Sequence, residues 1–127
     1  MDKIKQNKYP LVSVLVPVYN VEAYIARCAR SVLGQNYSNI EFIFIDDGCT
    51  DSSIDILKAI IDESSRYKDK CTIIHHGQNK GLATARNTAI ANSHGEFVFH
   101  VDSDDWVEPD AIELLVNKQQ ETGADLV

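Results

Sequence analysis

The sequence predicts an α/β doubly wound, mostly parallel sheet with helices on both faces, and three observations carry that prediction. Four short runs are β-branched or aromatic and apolar nearly throughout, the mark of strands buried on both faces. The stretches between them repeat apolar residues at the three-to-four spacing of a helix face. Strand and helix then alternate along the whole chain, as crossover units feeding a parallel sheet do.

A polar tail over residues 1–10 precedes the domain, which is expected to occupy residues 11–127. The first strand is LVSVLVPVY, residues 11–19, and the helix after it spans residues 22–35 with Ile25, Cys28, Ala29, Val32 and Leu33 inward. EFIFIDD, residues 41–47, is the second strand. Asp51 or Ser52 caps the next helix, whose stripe is Ile54, Leu57, Ile60 and Ile61. TIIHH, residues 72–76, is the third strand, and the helix of residues 81–93 follows with Leu82, Ala85, Ala89 and Ile90 inward. EFVFHVD, residues 96–102, is the fourth. A last helix begins around Pro109, a residue favoured in a first turn, and carries Ala111, Leu114 and Leu115. Gly123 reads as its C-cap, after which ADLV opens a further strand. That ending leads us to expect a truncated domain, whose open strand edge invites self-association.

Composition excludes several classes. With a net charge of −7 and an isoelectric point near 4.9, the chain is a poor partner for nucleic acid, where Lys and Arg must neutralise phosphates. No apolar run approaches the ~20 residues of a membrane-spanning helix. Cys28, Cys49 and Cys71 are widely spaced and odd in number, which suits neither a disulfide framework nor a zinc site. A reducing cytoplasm is the expected setting, with the inner face of a membrane open to a longer protein.

Ligands of open α/β sheets bind beyond the carboxyl ends of the strands. The predicted strand ends gather Pro17, Tyr19 and Asn20, then Asp46 and Asp47, then Asp102, Asp104 and Asp105, with Glu108 and Asp110 close behind. So many carboxylates repel one another unless a cation or hydrogen bonds compensate. D-x-D at a strand end can offer two carboxylates to Mg²⁺ or Mn²⁺, which keep sites for water and substrate phosphates; helix capping and solvation before Pro109 is the competing reading. A calcium EF-hand loop is excluded because Trp106 stands at its fifth position and no Gly at its sixth. In IDDGCTD, a strand-end carboxylate can accept from a nucleobase N–H while Gly48 permits a tight turn; an acidic helix cap is the bland alternative. The D-x-D-G-T spacing of a haloacid-dehalogenase-type phosphatase is absent, since Asp47 directly follows Asp46.

Tyr19 can stack on a base or simply pack on the first helix. Lys80 and Arg86, in GQNKGLATARN, are candidate partners for phosphate or carboxylate, beside a helix start that presents free N–H groups. No Walker loop is present. His75, His76, His94 and His100 form no ligand spacing; His100 reads as a strand residue and the others as turn residues.

Taken in order, VSVLVPVYNVEAYI, SVLGQNYSNIEFIFIDDGCTD, NKGLATARNTAI and GEFVFHVDSDDWVEPD resemble the amino-terminal half of the family two glycosyltransferases, over residues 12–127. The resemblance implies a GT-A, Rossmann-like fold and transfer of a sugar, hexosyl or N-acetylhexosaminyl, from a nucleotide-diphosphate donor, a UDP-sugar, to an acceptor hydroxyl with inversion. It implies that Pro17, Tyr19 and Asp47 line the uracil pocket with Glu22 nearby. Arg86 is expected to approach the nucleotide or the acidic cluster, and Asp104, with Asp105 or Asp102, to carry Mn²⁺ or Mg²⁺ and the diphosphate. The general base is expected downstream of this chain, on an acceptor half that binds a saccharide or lipid-linked acceptor in polysaccharide biosynthesis. A nucleotide-sugar-binding module without transferase activity is the alternative. A receiver-like phosphorylation domain, which also uses acidic strand ends, is set aside because the later strand-end Lys and Ser or Thr signals it needs are not found in this sequence.

Overall fold

The computed structural model describes residues 9–123. Four strands, β1 (Val12–Val18), β2 (Ile40–Asp47), β3 (Cys71–His76) and β4 (Phe97–His100), form one sheet in the order β3-β2-β1-β4. Every pairing is parallel, as the continuous apolar runs require. Four helices connect and follow them: α1 (Ile25–Leu33), α2 (Ser53–Glu63), α3 (Leu82–Ala91) and α4 (Ala111–Thr122).

The strand alternation divides the core. Val12, Val14, Val16 and Val18 of β1, with Phe42 and Phe44 of β2, pack under α1, α2 and α4. Leu15, Ile43 and Ile45 point to the other face and meet Ala85 and Ala89 of α3. Helices therefore cover both faces, as expected. The chain runs from β1 outward to β3 and then returns to the far side of β1 as β4. The sheet thus has its switch point between β1 and β4, where a crevice opens at the strand ends.

Two apolar stripes differ from expectation. Leu82 and Ile90 of α3 are 52 % and 45 % exposed, and only Ala85 and Ala89 are buried. These two alanines let α3 lie close on the sheet, so a narrower stripe suffices. In α4 the inward residues are Ile112 and Val116, while Leu114 is exposed and Leu115 borders a shallow groove with Phe97 and Phe99 that no described element covers. His75 and His76 end β3 rather than forming a turn. Asp51 caps α2 from one residue outside it, its Oδ1 accepting from Ser53 N–H at 2.9 Å, while the Ser52 side chain makes no cap bond. Gly123 takes the left-handed conformation (φ 70°) and its N–H donates to Gln119 O at 2.7 Å, closing α4. The strand expected at residues 124–127 lies outside the described residues, as does most of the polar tail.

Candidate functional site

At the switch point, the ends of β1 and β2, the start of α3 and the turn after β4 enclose a cleft of about 330 Å³. Pro17, Tyr19, Asp47, Asp102 and Asp104 line it, as do Val18, Val21, Asn79, Leu82, Ala85 and Ser103. Five of the residues singled out in the sequence thus share one cavity.

The first wall is set where β1 ends. Asn20 adopts a positive φ of 48°, a conformation Asn tolerates better than most residues. Its side chain locks onto the next loop, Oδ1 accepting from Thr50 N–H at 2.9 Å and Nδ2 donating to Thr50 Oγ1 at 3.1 Å. Tyr19 is left with its ring half exposed over the cleft.

The floor is Asp47, only 3 % exposed. Its Oδ1 accepts from Lys80 N–H at 2.9 Å and lies 2.8 Å from His76 Nδ1, while its Oδ2 accepts from Gly81 N–H at 3.0 Å. Burial alone would raise its pKa. The His76 hydrogen bond, the N–H groups of Lys80 and Gly81 and the His76 charge outweigh that and hold the carboxyl below the usual range. A carboxylate has about four lone-pair sites, so Asp47 keeps acceptor capacity after these bonds. His76 Nε2 in turn meets Thr88 Oγ1 of α3 at 2.9 Å. Asp46 turns the other way, pairing with His75 Nδ1 at 2.7 Å and accepting from Cys49 N–H at 2.9 Å. Gly48 (φ 74°) lets the Gln78–Asn79 backbone pass: a Cβ there would stand 2.4 Å from Asn79 N and 2.5 Å from Gln78 C.

The third wall is the acidic turn. Asp105 N–H donates to Asp102 O at 3.0 Å, and Asp105 Oδ1 accepts from Trp106 N–H at 3.2 Å. Arg86 supplies the compensating cation, its Nη2 lying 3.0 Å from Asp102 Oδ1, and its Nε is buried without a hydrogen-bond partner. Asp104 faces the cleft and makes no hydrogen bond or ion pair among the described residues. Beneath the turn, burial first and then the charges of Asp105, Asp104 and Asp102 push the Cys28 thiol up to about 12. Burial and the Arg86 charge depress His100.

Glu22 and Asp105 do not border the cleft. Glu22 braces the start of α2, its Oε1 accepting from Ser52 N–H at 3.3 Å while its own N–H donates to Asp51 Oδ2 at 3.2 Å. Sequence reasoning missed His76, Asn79 and Leu82. Leu82 was legible only as an apolar helix residue, and His76 becomes visible only through its register opposite Asp47.

A sequence model described as "Glycosyl transferase family 2" matches residues 13–127. The chain belongs to this family. It is 44 % identical over 115 residues to Glycosyltransferase GlyA of Streptococcus pneumoniae, covering 91 % of this chain and 16 % of that protein. The crystal structure of S. aureus TarS 1-349 in complex with UDP superposes with a TM-score of 0.78 at 28 % identity, covering 89 % of this chain and 33 % of that one; TarS 1-349 was also crystallised with UDP-GlcNAc. The mannosyltransferase PcManGT from Pyrobaculum calidifontis, in complex with GDP-Man and Mn²⁺, gives 0.69 at 27 % identity, covering 76 % and 28 %. The fold is the GT-A type, and the chain spans about a third or less of the length of these proteins.

Proposed function

We propose that residues 11–110 form the nucleotide-sugar site of a metal-assisted, inverting glycosyltransferase with a UDP-sugar as donor. The observation that carries this reading is the meeting of Tyr19, the buried Asp47 and the free carboxylate of Asp104 around one cleft at the sheet's switch point. The Tyr19 ring offers a stacking face to a base. Asp47, already oriented by its protein hydrogen bonds, accepts from the base N–H with its remaining lone-pair capacity, and Pro17 forms the adjoining wall. One relative, TarS, crystallised with UDP and with UDP-GlcNAc, supports uracil as the base.

No three His, Cys, Asp or Glu side chains converge among the described residues. Mg²⁺ and Mn²⁺ do not need such a cage, for they are usually held by one or two carboxylates together with substrate phosphates and water. The all-oxygen donors Asp102 and Asp104, on one cleft wall, fit that requirement, with Asp105 beside them. The Mn²⁺ complex of PcManGT supports it as well. A bound divalent ion supplies charge neutralisation for the departing nucleotide diphosphate. Arg86 fixes Asp102 from beside the cleft, its Nη2 pairing with Asp102 Oδ1. Deprotonation of the acceptor hydroxyl, on a saccharide or lipid-linked acceptor, requires a general base, which we assign to sequence beyond this chain. Calorimetry of UDP binding with and without Mn²⁺ tests the site. The wild-type chain binds more tightly with Mn²⁺, and Asp104→Ala removes that gain while staying folded; an unchanged metal dependence in Asp104→Ala overturns the assignment.

A further inference from the structure

α1 and the residues just after it present one edge to the acidic turn. Cys28, Ser31 and Gln35 follow at spacings of three and four residues, so their side chains stand in a row. Each bonds the backbone of the segment between β4 and α4. The Cys28 thiol donates to Asp102 O at 3.6 Å. Ser31 Oγ accepts from Val107 N–H at 3.1 Å while donating to Cys28 O at 2.8 Å. Gln35 Nε2 donates to Glu108 O at 2.7 Å, and its Oε1 accepts from Ile112 N–H at 3.0 Å. Gln35 is fully buried, and its own carbonyl is braced by Arg66 Nη1 at 3.3 Å and Tyr67 Oη at 2.9 Å.

The held segment carries Asp102, Asp104, Asp105, Glu108 and Asp110 without regular structure from 101 to 110. Mutual repulsion of these carboxylates favours an open, variable loop. Contacts to the loop backbone oppose that without engaging the carboxylates. We infer that Ser31 and Gln35 are positioning residues for the metal-binding turn, resting on the donor-site reading above: they fix its backbone so that Asp104 remains free toward the cleft.

Trp106, the only tryptophan in the chain, lies inside the turn and is half exposed, so its fluorescence reports Mn²⁺ arriving there. The experiment measures amide exchange of Val107 and Ile112 in the ligand-free chain, UDP affinity without metal, and Mn²⁺ quenching of Trp106 with UDP saturating. Ser31→Ala is expected to speed Val107 exchange and to raise the half-quenching Mn²⁺ concentration by up to about five-fold, as the competent fraction falls with one lost hydrogen bond. Metal-free UDP affinity stays unchanged, and Ser31→Thr, which keeps the oxygen, restores the wild-type Mn²⁺ response. Gln35→Glu, which keeps an acceptor for Ile112 but loses the donor to Glu108, is expected to shift the Mn²⁺ response in the same direction. The inference is overturned if Ser31→Ala leaves the Mn²⁺ response unchanged, or weakens metal-free UDP binding equally. A wild-type chain without Mn²⁺-dependent UDP binding overturns the donor-site reading and the role of both residues with it. Retained Val107 protection would then mark these contacts as purely structural.

Discussion

Asp47→Asn separates the structural duty of this residue from its proposed contact with a base. The wild-type carboxylate accepts from Lys80 N–H, Gly81 N–H and His76 at 2.8–3.0 Å while almost fully buried. An asparagine can keep its oxygen toward Lys80 and His76, but its NH₂ then faces Gly81 N–H, donor against donor. Losing one charge-assisted bond and weakening two others should cost about 2–4 kcal/mol, a fall in melting temperature on the order of 10 °C for a domain of this size. The acid limb should change too. Because the folded-state pKa of Asp47 is depressed, its stabilisation is complete above the unfolded carboxylate value and is lost as pH falls through the folded one. Urea unfolding of both proteins between pH 7 and pH ~3 should therefore show a gap that is held down to the unfolded carboxylate value and narrows on further acidification. Equal stability at pH 7, or a gap that does not narrow in acid, would refute the assigned hydrogen bonds.

Gly48→Ala should destabilise by about 2–4 kcal/mol, from the left-handed conformation and the collision with the Gln78–Asn79 backbone together; a melting temperature within a degree or so of wild type would contradict the close approach. Leu57→Ala, at a fully buried position on the inner face of α2, should cost about 2–5 kcal/mol without altering UDP affinity in the surviving folded fraction, as calorimetry below the transition can check. Glycosyl transfer by this chain, measured with a panel of UDP-sugars and acceptors beside a longer gene product, should be lower by at least ~10²-fold if the general base is supplied from outside it. Robust metal-dependent transfer by the short chain would place the base within it.

The two central strands were legible because burial on both faces leaves few polar positions: all seven residues of β1 are buried, and Ser13 is the one polar side chain among them. The helix faces were read less well where apolar residues serve something other than the core. Leu82 lines the cleft, Leu114 is exposed, and Leu115 edges the buried stripe of Ile112 and Val116 at an open groove, so spacing alone could not sort them. Of the site, the carboxylates and Tyr19 were visible because strand-end position is itself a functional signal in parallel sheets. His76 and Gln35 were not, since their partners are distant in sequence: His76 meets Asp47 only through the β2–β3 register, and Gln35 meets Glu108 only after the chain has returned to the far side of β1. Glu22, expected near the base, meets the start of α2 and lies off the cleft.

The cleft between β1 and β4 is proposed to hold a uridine nucleotide with a divalent ion. Titration calorimetry of the chain with UDP and with ADP, each with Mn²⁺, tests it most directly. UDP is expected to bind more tightly than ADP, because Asp47 and Tyr19 engage the uracil. Equal affinity for the two nucleotides, or no binding of either, would contradict it.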